Sequence, residues 1–206
     1  MVETRIYVEG GGDQARLKTK CRAGFRLFFE KTLSRNMPKI IACGSRKEAY
    51  DRFCTAIKEY ENTFCVLLVD SEGPIRDNAK RWTYLKERKE DCWDKPDNAD
   101  ENNVHFMVQC MESWFLADKE CLANFYGQGF ISNALPNNPN IEKISKSDIF
   151  NSLKNATRNT KSKGKYGKGS HSFDILSLID PVKVCNASTH ADIFITLLKD
   201  KLDVNS

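Results

Sequence analysis

The sequence has no long hydrophobic run. Its longest uninterrupted apolar stretch is six residues, Phe64 to Val69, whereas a membrane-spanning helix needs about 20. The charged residues Glu3, Arg5 and Glu9 interrupt the N-terminal segment, and this pattern is unlike a secretory signal. We therefore expect a cytoplasmic protein that has no membrane partner.

The sequence also lacks the cysteine spacing of a zinc site, although it contains eight cysteines. Most of them lie within periodic apolar segments, where a free thiol behaves as a small hydrophobic group. These residues are Cys21, Cys43, Cys54, Cys65, Cys110 and Cys121. Such usage indicates a reducing compartment, in agreement with a cytoplasmic location.

Two common nucleotide-binding motifs are missing. Gly10, Gly11 and Gly12 follow the first predicted strand, but no Gly-Lys-Ser or Gly-Lys-Thr comes after them, which excludes a P-loop. The G-x-G-x-x-G spacing of dinucleotide-binding domains is absent as well.

What the sequence does contain is a buried strand that ends in two acids. The run Phe64 to Val69 is too continuous for a half-solvated strand and predicts one that is buried on both faces of a parallel sheet. Asp70 and Glu72 follow it. In extended backbone, residues two apart point to the same side, so we expect both carboxylates at the edge of the sheet where ligands bind.

The chain around this strand reads as alternating strands and helices, which predicts right-handed crossovers and a parallel sheet. Before it come a strand at 5–8, a helix from Gln14 to Ser34, a strand at 39–43 and a helix that begins with the capping box Ser45 to Glu48. After it come a long polar connection at 73–103 with a helix at 79–86, a strand at 104–110 and a helix at 112–118. Further helices are expected near 147–158, 173–178 and 190–202.

The fold class is thus α/β, a parallel sheet flanked by helices, followed by a helical C-terminal extension. We place the core at residues 1–126 and the basic, mostly helical extension, packed on the core, at 127–206.

Glu9 ends the first strand as Asp70 ends the third, and in such a sheet these strands are expected to be neighbours. The three carboxylates Glu9, Asp70 and Glu72 would then converge on a site of the type that Mg²⁺ or Mn²⁺ prefers. The alternative is that each acid caps a helix or lies solvated in a turn.

The net charge is only +4, but basic residues cluster between Glu142 and Ser170. This excess predicts contact with nucleic acid, and its glycine-rich part, Lys161 to Ser170, is expected to be a flexible loop. The predicted nucleic-acid-binding residues are Lys146, Lys161, Lys163, Lys165, Lys168 and His171. A solvated basic surface would have the same composition.

These motifs resemble the Toprim domain, which has a glutamate after its first strand and D-x-D after a later one. Val8-Glu9-Gly10 and Asp70-x-Glu72 match that pattern, except that Glu72 stands where Toprim has aspartate. Nearly the whole chain is similar to a family of small bacterial Toprim-like proteins of unassigned function, which is related to nucleases of the overcoming-lysogenization-defect type.

The resemblance implies a Toprim-like Rossmannoid fold and a metal-dependent nuclease. It implies Asp13 and Glu112, with Asp118 as a further candidate, as extra acids for a second ion. It also implies a catalytic lysine, Lys168, with Lys165 and Lys146 as alternatives. Such nucleases often act with an ABC-type ATPase partner in defence against phage.

The function expected from the sequence is therefore a Mg²⁺- or Mn²⁺-dependent endonuclease that acts on DNA or RNA, with Glu9, Asp70, Glu72 and Lys168 as its catalytic residues. A non-catalytic nucleic-acid-binding or scaffold protein is the second interpretation. A small-molecule phosphohydrolase of the haloacid-dehalogenase kind ranks lower, because Pro74 replaces the threonine or valine of that motif. A homo-oligomer is compatible with the sequence.

Overall fold

A computed structural model describes residues 3–33, 36–76 and 79–203. It contains a four-stranded, all-parallel sheet in the order β2-β1-β3-β4. The strands are β1 Glu3–Gly11, β2 Lys39–Gly44, β3 Thr63–Asp70 and β4 Val104–Met107. The predicted α/β class, the parallel sheet and the pairing of β1 with β3 are confirmed.

Helices cover both faces of this sheet. They are α1 Ala15–Glu30, α2 Arg46–Glu59, α3 Arg81–Glu87, α4 Lys119–Tyr126, α5 Lys146–Ala156, α6 Lys168–Leu178, α7 Pro181–Ala187 and α8 Thr189–Asp203. A 3₁₀ helix, Met111–Ala117, follows β4. Within these described ranges, no helix is long and apolar enough to cross a membrane.

The side chains of β3 alternate between two hydrophobic clusters, one on each face of the sheet. Val66 and Leu68 pack with α1 and the C-terminal helices. Leu67 and Val69 pack on the opposite face with α2 and the connection that follows β3. The continuous apolar run is therefore a strand buried on both sides, as its composition predicts.

The C-terminal extension shares the core of the sheet. The ring of Phe194 in α8 meets Phe29 of α1 edge to face, with centroids 6.0 Å apart. Within the core itself, Trp114 of the 3₁₀ helix stacks on Phe28 of α1 with ring centroids 5.2 Å apart. Helix α6 packs along α1, and this contact brings the start of α6 to the carboxyl edge of the sheet.

Several predicted boundaries were wrong. Helix α1 ends at Glu30 rather than Ser34, which itself lies outside the described residues. The predicted helix at 112–118 is present as a 3₁₀ helix at Met111–Ala117, and this tighter winding accompanies burial of the consecutive side chains Trp114, Phe115 and Leu116. Helix α6 already begins at Lys168, so the predicted flexible loop is three residues shorter than expected.

Two helices were missed, α4 and α7. Both begin with an ordinary signal, because Asp118 caps α4 and Asp180 caps α7, where Pro181 occupies the first turn. The capping aspartates were available in the sequence, and the short length of each helix hid the apolar period.

Replacing Trp114 by alanine should lower the free energy of unfolding by about 3–5 kcal/mol, the usual cost of truncating a fully buried aromatic side chain. Urea denaturation followed by circular dichroism measures this change. The control is Leu27→Ala in α1, whose side chain is 46% exposed and whose loss should cost about 0.5 kcal/mol or less. A Trp114 variant as stable as the Leu27 variant would contradict this packing.

Candidate metal centre at the carboxyl edge of the sheet

Three acids meet where β1 and β3 end. One carboxylate oxygen from each of Glu9, Asp70 and Glu72 lies within 4.8 Å of the others. The parallel register pairs Val8 with Leu68, so the residues that follow on each strand reach the same edge. This convergence agrees with the arrangement that the strand order predicts.

Asp70 is the most enclosed of the three, with 3% of its surface exposed. Its Oδ1 accepts a hydrogen bond of 2.8 Å from the backbone N–H of Met111. The pKa of Asp70 is raised to about 7, chiefly by burial and then by the negative charges of Glu9 and Glu112, against the opposing effect of Lys168 and Lys146. A neighbouring cation would stabilise the ionised form of such a buried carboxyl group.

Glu72 reaches the cluster by a route that the sequence did not predict. We expected extended backbone, but the φ of Glu72 is 67°, in the left-handed region. Its N–H donates to the carbonyl oxygen of Gln109 at 2.9 Å, which ties the turn to the segment after β4. Its carboxylate accepts a 2.6 Å hydrogen bond from Lys146 Nζ. A strained backbone of this kind often occurs at functional sites.

Glu9 is positioned by a glycine turn. The register between β1 and β2 shifts after Val8, so that Glu9, Gly10 and Gly11 all pair with Gly44. A Cβ on Gly44 would lie 2.6 Å from the carbonyl oxygen of Gly12, a distance that no side chain tolerates. The glycines therefore let two loops approach closely and hold Glu9 at the edge.

Arg46, at the start of α2, was missed by the sequence analysis. Its Nη1 lies 3.4 Å from Glu9 Oε2 and also donates to the backbone oxygen of Asp70. Asp91 holds the same guanidinium through two hydrogen bonds of 2.8 and 2.7 Å. The available signal was its place directly after the second strand, where we identified only a capping box.

The contact of Asp91 with Arg46 also fixes part of the long connection between β3 and β4 beside the candidate site. Its described part is anchored beside the site, because Trp93 stacks on Tyr50 of α2 with ring centroids 4.4 Å apart. The sequence predicts a long polar connection at 73–103, and the structure places this part of it against the candidate site.

Two lysines approach the acids from the starts of helices. Lys146, the first residue of α5, lies 2.6 Å from Glu72 Oε2 and 3.6 Å from Asp70 Oδ2. Lys168, the first residue of α6, has a raised pKa: burial lowers it, but the charges of Glu112, Asp70 and Glu9 outweigh that effect. Both lysines therefore stay protonated and compensate the acids.

Glu112 lies behind the cluster and is fully buried. Its Oε1 accepts hydrogen bonds from the hydroxyls of Tyr166 at 3.0 Å and Ser172 at 3.3 Å. Its Oε2 is buried and has no hydrogen-bond partner among the residues that the structure describes. The sequence indicated Glu112 but neither hydroxyl partner, since both come from a distant part of the chain.

Other predicted acids lie away from the cluster. Asp13 is exposed in the turn after the glycines and does not belong to the group within 4.8 Å. Asp118 caps α4 and binds Lys183 Nζ at 2.7 Å and the N–H of Asp180 at 3.0 Å. These contacts give Asp118 a structural role.

The predicted nucleic-acid-binding residues differ in their surroundings. Lys161, Lys163 and Lys165 are exposed between α5 and α6, as a contact surface requires. His171 is only partly exposed, and its Nδ1 accepts from the N–H of Gly167 and lies 3.1 Å from the Tyr126 hydroxyl. That nitrogen is therefore engaged within the protein.

The donor set fits a hard divalent cation. Carboxylate oxygens from three acids converge, one of these acids has a raised pKa, and a fourth carboxylate oxygen nearby lacks a partner within the described chain. Mg²⁺ and Mn²⁺ prefer oxygen ligands of this kind. Glu9, Asp70 and Glu72 are the residues that could hold such an ion.

Comparison with known proteins gives one match. A family model described as a domain of unknown function, DUF4276, matches residues 8–199. Searches of curated proteins and of solved structures found no match. The matched range includes every candidate ligand named above, but its description assigns no chemistry to them.

In EDTA at pH 8, Asp70→Asn should have a higher melting temperature than the wild type. The folded pKa of about 7 lies above the unfolded value of about 4, so the wild type loses stability as pH rises through that interval. The amide removes this cost and can still accept from the N–H of Met111. The gain should be about 2–4 °C per kcal/mol at this chain length and should vanish at pH 4.

Differential scanning calorimetry at both pH values measures this effect. The same substitution at the exposed Asp97 is the control and should leave the melting temperature unchanged at either pH. An Asp70 variant that is less stable than the wild type at pH 8 would show that the buried charge is already compensated.

Proposed function

The chain belongs to the DUF4276 family, whose function is unknown, so we propose an activity from the site itself: Mg²⁺- or Mn²⁺-dependent hydrolysis of phosphodiester bonds in DNA or RNA. The observation that carries this proposal is the convergence of Glu9, Asp70 and Glu72 within 4.8 Å at the carboxyl edge of the sheet. When bound, a divalent ion activates water and stabilises the charge that develops on a phosphodiester.

The surrounding side chains suit a phosphodiester substrate. Lys168, at the start of α6, is protonated because the charges of the acids raise its pKa, and its ammonium can bind a phosphate oxygen. Arg46 is fixed by Asp91 beside Glu9, so its guanidinium is oriented before a substrate arrives. Such preorganised cations contribute more to catalysis than mobile ones, because they need no reorganisation during the reaction.

The position of the basic loop supports nucleic acid as the substrate. Helices α5 and α6 both begin at the site, with Lys146 and Lys168, and the residues between them carry the exposed Lys161, Lys163 and Lys165. A polyanion bound at the acids through a cation can therefore extend along this loop. Lysine contacts to phosphates give affinity without sequence preference.

The narrower expectations belong to the same proposal. The Toprim resemblance implies a Toprim-like endonuclease, an ABC-type ATPase partner and a role in phage defence. A cytoplasmic location and a homo-oligomer are expectations from the sequence. They stay predictions.

A non-catalytic nucleic-acid-binding protein is the second candidate, and one observation favours it. Lys146 already binds Glu72 at 2.6 Å, and Arg46 lies 3.4 Å from Glu9. The acids are thus partly neutralised by the protein's own cations. Under this alternative, nucleic acid binds equally well in EDTA and in Mg²⁺.

Single variants Glu9→Gln and Asp70→Asn should each lower the cleavage of single-stranded DNA or total RNA in Mg²⁺ or Mn²⁺. A loss of at least about 100-fold is expected, the size of effect that removal of one preorganised electrostatic contact has in other enzymes. Gel electrophoresis of end-labelled strands measures the rate.

Asp97→Asn is the matched control and should cleave at the wild-type rate. If all variants cleave alike, the activity comes from a contaminant, and the hydrolysis proposal fails. If no variant and no wild-type preparation cleaves in either metal, while binding persists in EDTA, the non-catalytic candidate is the correct one.

Replacing Lys161, Lys163 and Lys165 together by alanine should weaken single-strand binding. The slope of log K against log salt should become shallower by about 2, since each phosphate contact to a single strand contributes about 0.7. Fluorescence anisotropy over a range of salt concentrations measures this slope.

The control is a triple alanine variant at three exposed lysines elsewhere on the surface, Lys58, Lys89 and Lys199. It changes the net charge by the same amount. Equal slopes for the two triple variants would mean that the loop does not contact the strand.

A further inference from the structure

A cavity of about 270 Å³ opens beside the candidate metal centre. Glu9 and Asp70 form part of its wall, so a molecule that fills the cavity touches the same carboxylates that would hold the cation. The side chains of Leu17, Met111 and Phe173 supply apolar surface, and five glycines, Lys168 and Ser172 complete the lining. The contacts that position Glu9, Asp70 and Glu72 do not assign a function to this cavity.

One glycine in the cavity wall has no structural explanation. Gly169 is the second residue of α6, where glycine stabilises a helix less than alanine does. Its φ is not in the left-handed region, and an added Cβ would meet only Leu17 Cδ1 at an ordinary 3.9 Å. At Gly11, by contrast, a Cβ would lie 2.7 Å from the backbone of Lys18.

Neither the backbone nor the packing therefore requires glycine at position 169. Gly169 lines the cavity together with Lys168. Because glycine has no side chain, the cavity stays open at this position. Glycine is the expected residue where a ligand must approach the backbone closely.

We propose that this cavity binds the nucleobase of the nucleotide that adjoins the hydrolysed phosphodiester. This inference rests on the proposed hydrolase function. The volume is near the lower limit of about 300 Å³ for ligand pockets, so the cavity holds one planar ring system and excludes a base pair. The apolar side chains of Leu17, Met111 and Phe173 favour a ring, and the acids at one side place the attached phosphate at the cation.

The substrate class follows from this geometry. A base within a duplex is paired and stacked, and it reaches a pocket only after it is flipped out. A single strand offers its bases freely. The structure thus assigns single-stranded DNA or RNA, rather than an intact duplex, as the preferred substrate.

The test compares the four nucleoside 5′-monophosphates with ribose 5-phosphate by isothermal titration calorimetry in Mg²⁺. At least one mononucleotide should bind the full-length wild type tenfold or more tightly than ribose 5-phosphate. Gly169→Leu should remove this preference, because its side chain enters the cavity, and Gly169→Ala should reduce it severalfold. Ser170→Leu adds the same side chain one residue later, at an exposed position outside the cavity wall, and should keep the preference.

Equal binding of mononucleotides and ribose 5-phosphate by the wild type overturns the proposal, as does an unchanged preference in Gly169→Leu. Calorimetric melting of each variant confirms that it is folded. If the leucine variant is not folded, the Gly169→Ala result and the wild-type comparison decide whether the cavity binds the base. Base-dependent binding without strand cleavage supports the cavity and contradicts only the hydrolase function. Strand cleavage without any base preference contradicts only the cavity.

Discussion

Glu9 and Asp70 are neighbours because β1 and β3 pair in parallel, and the candidate site depends on this single register. The pairing of Val8 with Leu68 brings both chains to the edge at the same level. A shift of β1 by one residue would move the Glu9 carboxylate to the other face of the sheet, away from Asp70. The apolar residues of both strands enforce the register, since they alternate between two filled clusters and cannot slip without exposing one of them.

Basic residues at the starts of three helices offset the repulsion among the clustered acids. Arg46, Lys146 and Lys168 are the first residues of α2, α5 and α6. A basic residue there opposes the helix dipole, which prefers acids in the first turn. The placement is thus unfavourable for each helix alone and is offset by the acids that the three side chains face. These positions are basic because of the acids at the sheet edge, and not because basic residues stabilise the helices.

How far the sequence predicts this site depends on the range of each interaction. The strands, the pairing of β1 with β3 and the meeting of Glu9 with Asp70 follow from local apolar patterns and from general rules of chain connection. The partners of Glu112 do not, because Tyr166 and Ser172 lie more than fifty residues away along the chain. Lys168 was assigned to a flexible loop on composition, yet packing of α6 against α1 makes it helical. The Toprim resemblance implied Asp13 as a ligand, but the left-handed glycine turn places it at an exposed position.

Whether the acids require an external cation depends on how well the protein's own cations satisfy them. Glu72 has a short hydrogen bond from Lys146, so it is satisfied. Asp70, which is far more buried, has its nearest ammonium at 3.6 Å, beyond the usual 2.7–3.2 Å of a hydrogen bond. Glu112 Oε2 has no partner at all among the described residues. The least solvated carboxylates are thus the least compensated, and a buried charge without a partner costs more than an exposed one. Under the proposed function, a divalent ion at the centre would supply the positive charge that these buried carboxylates lack.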